Sequence, residues 1–104
     1  MHVQVITYRT AEVSDSDFNE ANRDFAEMMK EVPGLLTKVW LKSAEPGVYG
    51  GVYLWRDREA CEAFLASDLL AAVKADDSVQ DLTSQDYSVN EEMTKITQPT
   101  LQVI

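Results

Sequence analysis

The stretch KVWLKSAEPGVYGGVYLW, residues 38–55, holds both tryptophans and two of the four tyrosines of the chain. Trp40, Tyr53 and Trp55 are flat surfaces on which an aromatic ligand could stack, and a phenol or indole donor can orient a ligand oxygen. The same residue types also fill sheet faces and subunit interfaces. Lys38 shares their face by strand parity. Its ammonium could hold an oxyanion, the charge that develops when a phenol is deprotonated for reaction with O2. Alternatively, its stem packs on tryptophan while the head reaches water. Asn22 lies on an apolar helical stripe, where an unsatisfied amide costs on the order of 1–3 kcal/mol. It either points into a cavity or satisfies a neighbouring backbone group. Tyr8 lies inside the first strand. Lys38, Asn22 and Tyr8 are therefore the candidate catalytic and polar contact groups. The candidate pocket wall is Trp40, Tyr53 and Trp55, with Phe25 and Met28 from a first helix and Phe64 from a second.

Other reactive residues are sparse. The chain has one histidine, His2, and one cysteine, Cys61, so no intramolecular disulfide can form. His2 reads as a solvated terminal residue rather than a base. Cys61 reads as a small core residue, since nothing basic lies near it in sequence to lower its pKa. A zinc site would have to be assembled from His2, Cys61 and scattered carboxylates, without any of the usual ligand spacings. Neither a metal nor a cofactor is expected. The 18 acidic residues outnumber the 9 basic ones, for a formal charge of −9. Such a surface repels phosphate backbones, so nucleic acid is not an expected partner. The runs Asp76-Asp77 and Glu91-Glu92 read as solvated surface. No apolar run approaches the roughly 20 residues that span a bilayer, so no membrane partner is expected. The start, MHVQVITYRT, lacks a signal peptide's basic, apolar and small-residue segments, so a cytoplasmic location is expected.

The elements that must position these groups are legible. VQVITYR, residues 3–9, is rich in β-branched and aromatic types and predicts a strand. The following stretch changes period: Phe18, Ala21, Asn22, Phe25, Met28, Met29 and Val32 recur at helical spacing. Ser14 with Asp17 resembles a capping box, with Ser16 as a rival cap, and Pro33-Gly34 stops the helix. Residues 35–43 and 48–55 predict two strands joined at a Glu45-Pro46-Gly47-Val48 turn. That register sets Trp40 opposite Tyr53 and Lys38 opposite Trp55, with Val39 beside Leu54 and Leu41 beside Val52 on the other face. Asp57 caps a second helix, which Ser67-Asp68 restarts in a new direction. Residues 81–89 predict a fourth strand, and residues 91–104 a tail with apolar Met93, Ile96, Leu101, Val103 and Ile104.

This order, βαββαβ, is a ferredoxin-like α+β arrangement in one domain, residues 1–104. Two helices cover one face of a four-stranded sheet, yet the hairpin is apolar on both: Leu35, Val39, Leu41, Val52 and Leu54 on one, Leu36, Trp40, Tyr53 and Trp55 on the other. An open apolar face of several hundred Å² is rarely left bare. A second copy of the same sheet in a two-fold homodimer is the simplest cover, with the tail clasping the partner.

PGLLTKVW, then GGVYLW followed by the helix DREACEAFL, and the closing SVQDLTSQDYSVNEEMTKI, resemble the dimeric α+β-barrel proteins. Within these, the chain is most similar to the YdhR-type mono-oxygenase family, most clearly over residues 33–95. The resemblance implies two βαββαβ protomers whose sheets meet as a barrel, with an apolar cavity between sheet and helices. It also implies cofactor-free oxidation of a small aromatic or quinol-like compound by O2; a non-catalytic ligand-binding dimer of the same fold is the rival. One departure bears on the chemistry. Many active members carry a histidine a few residues beyond the position of Ala63-Phe64, where this chain reads Leu65-Ala66-Ser67-Asp68. The Asn, Trp and His set of the haem-degrading members has no matching histidine here either.

Overall fold

The computed structural model describes residues 1–97. Its elements are β1 (His2–Arg9), α1 (Asp15–Met29), β2 (Leu35–Lys42), β3 (Val48–Trp55), α2 (Arg58–Leu65), α3 (Asp68–Ala75), β4 (Gln80–Ser88) and α4 (Glu91–Thr97). The strands form one antiparallel sheet in the order β2-β3-β1-β4. This is the ferredoxin-like arrangement. The helix boundaries follow local chemistry. Ser14, rather than Ser16, caps α1 by accepting from the Asp17 amide, Asp57 caps α2, and Ser67 caps α3. Ser67 also donates to the Phe64 carbonyl, so one hydroxyl ends α2 and starts α3. The tail differs from the sequence reading: residues 91–97 are a helix, with Asn90 Oδ1 accepting from the Met93 amide at its start. Leu101, Val103 and Ile104 lie outside the described residues. Among the described residues no helix is long and apolar enough to cross a membrane.

The hairpin holds a second difference. The Pro46-Gly47 turn is present, with Gly47 at φ +81° and the Val48 amide bonded to the Glu45 carbonyl. The ladder, however, closes two residues earlier, where the Ser43 amide bonds the Val48 carbonyl. Trp40 therefore faces Gly51, Lys38 faces Tyr53, Val39 faces Val52 and Leu41 faces Gly50. A two-residue slip preserves parity, so the face assignments of these residues survive while every partner changes. Parity breaks only between Leu35 and Thr37, where the register shifts. Leu35 thereby packs against the core instead of joining Val39 and Leu41.

Four cross-strand rows line the helix-covered face: Leu35–Trp55–His2–Ser88, Lys38–Tyr53–Gln4–Asp86, Trp40–Gly51–Ile6–Ser84 and Lys42–Tyr49–Tyr8. The core forms on this face from Ile6, Met29, Tyr53, Trp55, Ala60, Cys61, Phe64 and Leu70. Each large side chain buried here contributes about 1.5–3 kcal/mol. Gln4 is fully buried among them. Its Oε1 accepts from Trp55 Nε1 at 3.0 Å and its Nε2 donates to Ser84 Oγ at 3.0 Å. The opposite face carries Val3, Val5, Val52, Leu41, Val39 and Tyr87, the last two more than half exposed. Leu54, on the same face, is buried at 7% exposure.

Candidate active-site cavity

A cavity of about 250 Å³ lies between α1 and the sheet, lined also by Val73, Asp76, Val79 and Leu82. Its reactive wall is Lys38, Tyr8, Asn22, Tyr53, Trp40 and Phe25. The same six were singled out in the sequence, and they come from β1, α1, β2 and β3. The other three candidates are elsewhere. Trp55 is wholly buried, stacked on Tyr53 at 6.1 Å between centroids and 5.3 Å from Phe64. Phe64 is a core residue of α2. Met28 is half exposed on α1. The physical reason is depth: Tyr53 stands between the cavity and the Trp55–Phe64 pair, and Met28 lies off the inward stripe of α1.

Lys38 is the centre of the site. Its Nζ lies 3.6 Å from the Trp40 ring centroid, 4.8 Å from that of Tyr53 and 5.0 Å from that of Phe25. Among the described residues no carboxylate lies within ion-pair distance of it. Three aromatic faces attract the ammonium, but they replace water poorly. Burial lowers its pKa from 10.5 to about 8. Phe25 and Phe18 hold Trp40 in place by edge-on contacts at 6.2 and 6.3 Å.

Gly51 makes room for this arrangement. A Cβ at Gly51 would lie 2.9 Å from Lys38 Cε and 3.2 Å from Tyr53 Cε1. Gly51 is thus a space-maker on the cavity side, and the pair forms no bulge, since the register runs unbroken through both residues. Gly50, on the other face, lies tight against the backbone of β1.

The polar groups nearest Lys38 are the neutral Tyr8, Tyr53 and Asn22. Burial, then the neighbouring Tyr49, raises the Tyr8 pKa, and burial, then Tyr8, raises that of Tyr53. Both phenols therefore stay protonated at neutral pH. Asn22 Nδ2 donates to the Phe18 carbonyl at 2.9 Å, leaving its Oδ1 as an acceptor. Asp76 adds a negative charge to this wall. It is exposed, but its carboxylate borders the cavity, and the Ser78 amide and hydroxyl hold its pKa below the usual value. Sequence reasoning also missed Val73, Val79 and Leu82, whose only signal was the apolar spacing after Ser67. Taken together, the wall offers one cation, one exposed carboxylate, two hydroxyl donors and an amide within a flat aromatic slot. That combination suits a planar molecule carrying a delocalised negative charge. The volume, a little below the roughly 300–1,000 Å³ of drug-sized sites, suits one or two rings.

The family described as "Putative mono-oxygenase ydhR" matches residues 3–100. The chain belongs to the ydhR family. Curated proteins give no match to this ydhR-family member. Among solved structures, it is similar to a "putative antibiotic biosynthesis monooxygenase" from Caulobacter crescentus, with 20% identity, a TM-score of 0.68 and coverage of 85% of this chain and 88% of that one. It is similar also to SnoaB, a cofactor-independent oxygenase from Streptomyces nogalater, with 16% identity, a TM-score of 0.63 and coverage of 86% and 93%. A third is the ActVA-Orf6 monooxygenase of Streptomyces coelicolor in complex with nanaomycin D, with 15% identity, a TM-score of 0.63 and coverage of 86% and 87%. At such identities the likeness is one of fold. The name of the family and these neighbours point the same way, to mono-oxygenases.

Proposed function

We propose that this ydhR-family chain is a cofactor-independent mono-oxygenase that oxidises a small phenol or quinol with O2 inside the Lys38 cavity. The observation that carries this reading is an ammonium enclosed by Trp40, Tyr53 and Phe25, with no carboxylate of the described residues within ion-pair distance. With a pKa of about 8, Lys38 is cationic at neutral pH. A largely buried cation with no ion-pair partner among the described residues favours binding a phenol as its anion, and the phenol's proton leaves to solvent.

The phenolate then passes one electron to O2, giving a phenoxyl radical and superoxide. These couple at a ring carbon, and the peroxide oxygen takes a proton from the Lys38 ammonium, which regains it from solvent. Loss of the ring proton at that carbon cleaves the O–O bond and expels hydroxide, which leaves as water after protonation. One oxygen atom stays as the new carbonyl, and the substrate has supplied four electrons. Tyr8, Tyr53 and Asn22 orient the ligand oxygens, while Trp40 and Phe25 stack its ring.

A second reading, a ligand-binding protein without chemistry, is favoured by a cavity wall that holds no histidine. A chromophoric phenol whose neutral and anionic forms absorb differently tests the site itself. Binding should lower the phenol's apparent pKa, and Lys38→Met should abolish that shift; unchanged ionisation on binding would sink the proposal.

We also propose a homodimer through the open sheet face, giving a two-sheet barrel. Val39 at 53% exposure and Tyr87 at 55% support it, as apolar groups that a partner sheet would cover. Met93 and Ile96 of α4, exposed at 55% and 71%, support the tail as a further partner contact.

A further inference from the structure

We propose that His2, Cys61 and Asp86 form a binding site for one divalent cation of the zinc class, separate from the cavity. The three residues are far apart in sequence and belong to β1, α2 and β4. Folding brings one ligand atom from each to within 4.8 Å of the other two. His2 Nε2 and Asp86 Oδ2 are already in contact at 2.5 Å. None of the three lines the cavity, so this inference and the proposed function stand or fall separately.

The donor set is the first argument. A thiolate, an imidazole and a carboxylate are the side chains zinc selects, with bonds of about 2.0–2.3 Å. Tetrahedral angles at those lengths put ligand atoms about 3.3–3.8 Å apart. An ion therefore requires the His2–Asp86 pair to open by roughly 1 Å and the widest pair to close by a similar amount. Charge is the second argument. Binding displaces the Cys61 thiol proton to solvent; the thiolate and one carboxylate then neutralise the dication, while the imidazole binds uncharged. The centre is neutral overall, as a buried setting demands. Cys61 is fully buried and His2 is 4% exposed.

Access is the third argument. The Asp86 side chain is 37% exposed, which gives an ion a route from solvent and leaves the fourth position to water. Three protein ligands with one open position is zinc's catalytic-type coordination. Here the ion would tie the first strand, the second helix and the last strand together.

The test uses the full chain without a polyhistidine tag, stripped of metal, titrated with Zn2+ against a chromophoric chelator and separately with Co2+. One ion per chain is expected. The Co2+ form should show a thiolate-to-cobalt charge-transfer band and the intense visible bands of tetrahedral cobalt. Cys61→Ser should lose the charge-transfer band. Asp86→Asn should weaken Zn2+ binding by at least about 100-fold, beyond the effect usual for a supporting residue. Zn2+ should raise the melting temperature of the wild type and leave that of Asp86→Asn unchanged. Since Cys61 is in the core, circular dichroism checks that its variant folds; if it does not, Asp86→Asn alone decides. Substoichiometric binding, a cobalt spectrum without the thiolate band, or wild-type affinity in Asp86→Asn would each overturn the proposal.

Discussion

Replacing Lys38 with methionine should make the protein more stable at neutral pH while disabling its site. The fall in the lysine pKa from 10.5 to about 8 corresponds to roughly 3.4 kcal/mol of unfavourable charge burial, at about 1.36 kcal/mol per pKa unit. The side chain keeps some contact with solvent, so screening trims this to about 2–3 kcal/mol. Attraction to the Trp40 face 3.6 Å away acts in the opposite direction, by about 0.5–2 kcal/mol. Methionine fills a similar volume without charge, and the balance leaves Lys38→Met more stable by about 1–2 kcal/mol near pH 7. The pH dependence has a definite sign. Unfolded Lys38 holds its proton up to about 10.5, whereas folded Lys38 releases it above about 8. Between those values the unfolded state binds more protons, so wild-type stability rises with pH. Urea unfolding of both proteins near pH 7 and near pH 10 separates this effect from other titrations, because only the difference between the two is used. The advantage of the variant should shrink toward zero at the higher pH. A variant less stable than wild type near pH 7, or a gap that stays constant with pH, would refute the reasoning.

The two adjacent glycines should respond differently to alanine. Gly51→Ala presses only on the flexible Lys38 stem and the Tyr53 ring edge, so it should cost under about 1 kcal/mol yet weaken phenol binding about 10-fold. Gly50→Ala meets the Ile6 carbonyl and the Thr7 backbone, and should lower stability by about 1–3 kcal/mol or more in the same unfolding assay. Gln4→Leu strands the buried Trp55 indole N–H and should cost about 1–3 kcal/mol, with a shift in tryptophan fluorescence. On the open sheet face, Val39→Glu should convert a dimer to a monomer in sedimentation equilibrium; an unchanged mass would move the interface elsewhere.

Much of this was legible in the chain because the pattern of apolar residues constrains faces more tightly than partners. Parity put Lys38, Trp40 and Tyr53 on one side, and that survived a hairpin register off by two, since a slip of two leaves every side chain on its own face. The register itself was not legible, because a turn at Pro46-Gly47 can sit flush with the ladder or beyond it. Ser43 and Ala44 carry no signal that decides between them. The bulge after Leu35 was hidden for the same reason. Depth was also invisible: Trp55 shares a face with Tyr53, yet one lies behind the other. The meeting of His2, Cys61 and Asp86 depends on packing α2 over the β1–β4 pair, which no local spacing encodes. Asn22 left two readings open in the sequence, and the structure combines them: it bonds a backbone carbonyl and borders the cavity.

The central claim is that the Lys38 cavity uses O2 on a small phenol or quinol. The most direct test is oxygen consumption by the metal-free protein with a panel of one- and two-ring phenols and quinols, alongside Lys38→Met. The account predicts uptake of one O2 per quinone formed, no turnover under nitrogen, and a loss of rate of about 100-fold or more in Lys38→Met, the scale of removing a single oxyanion-stabilising group. Uptake equal in wild type and Lys38→Met, or no uptake with any compound that binds the cavity, would contradict it.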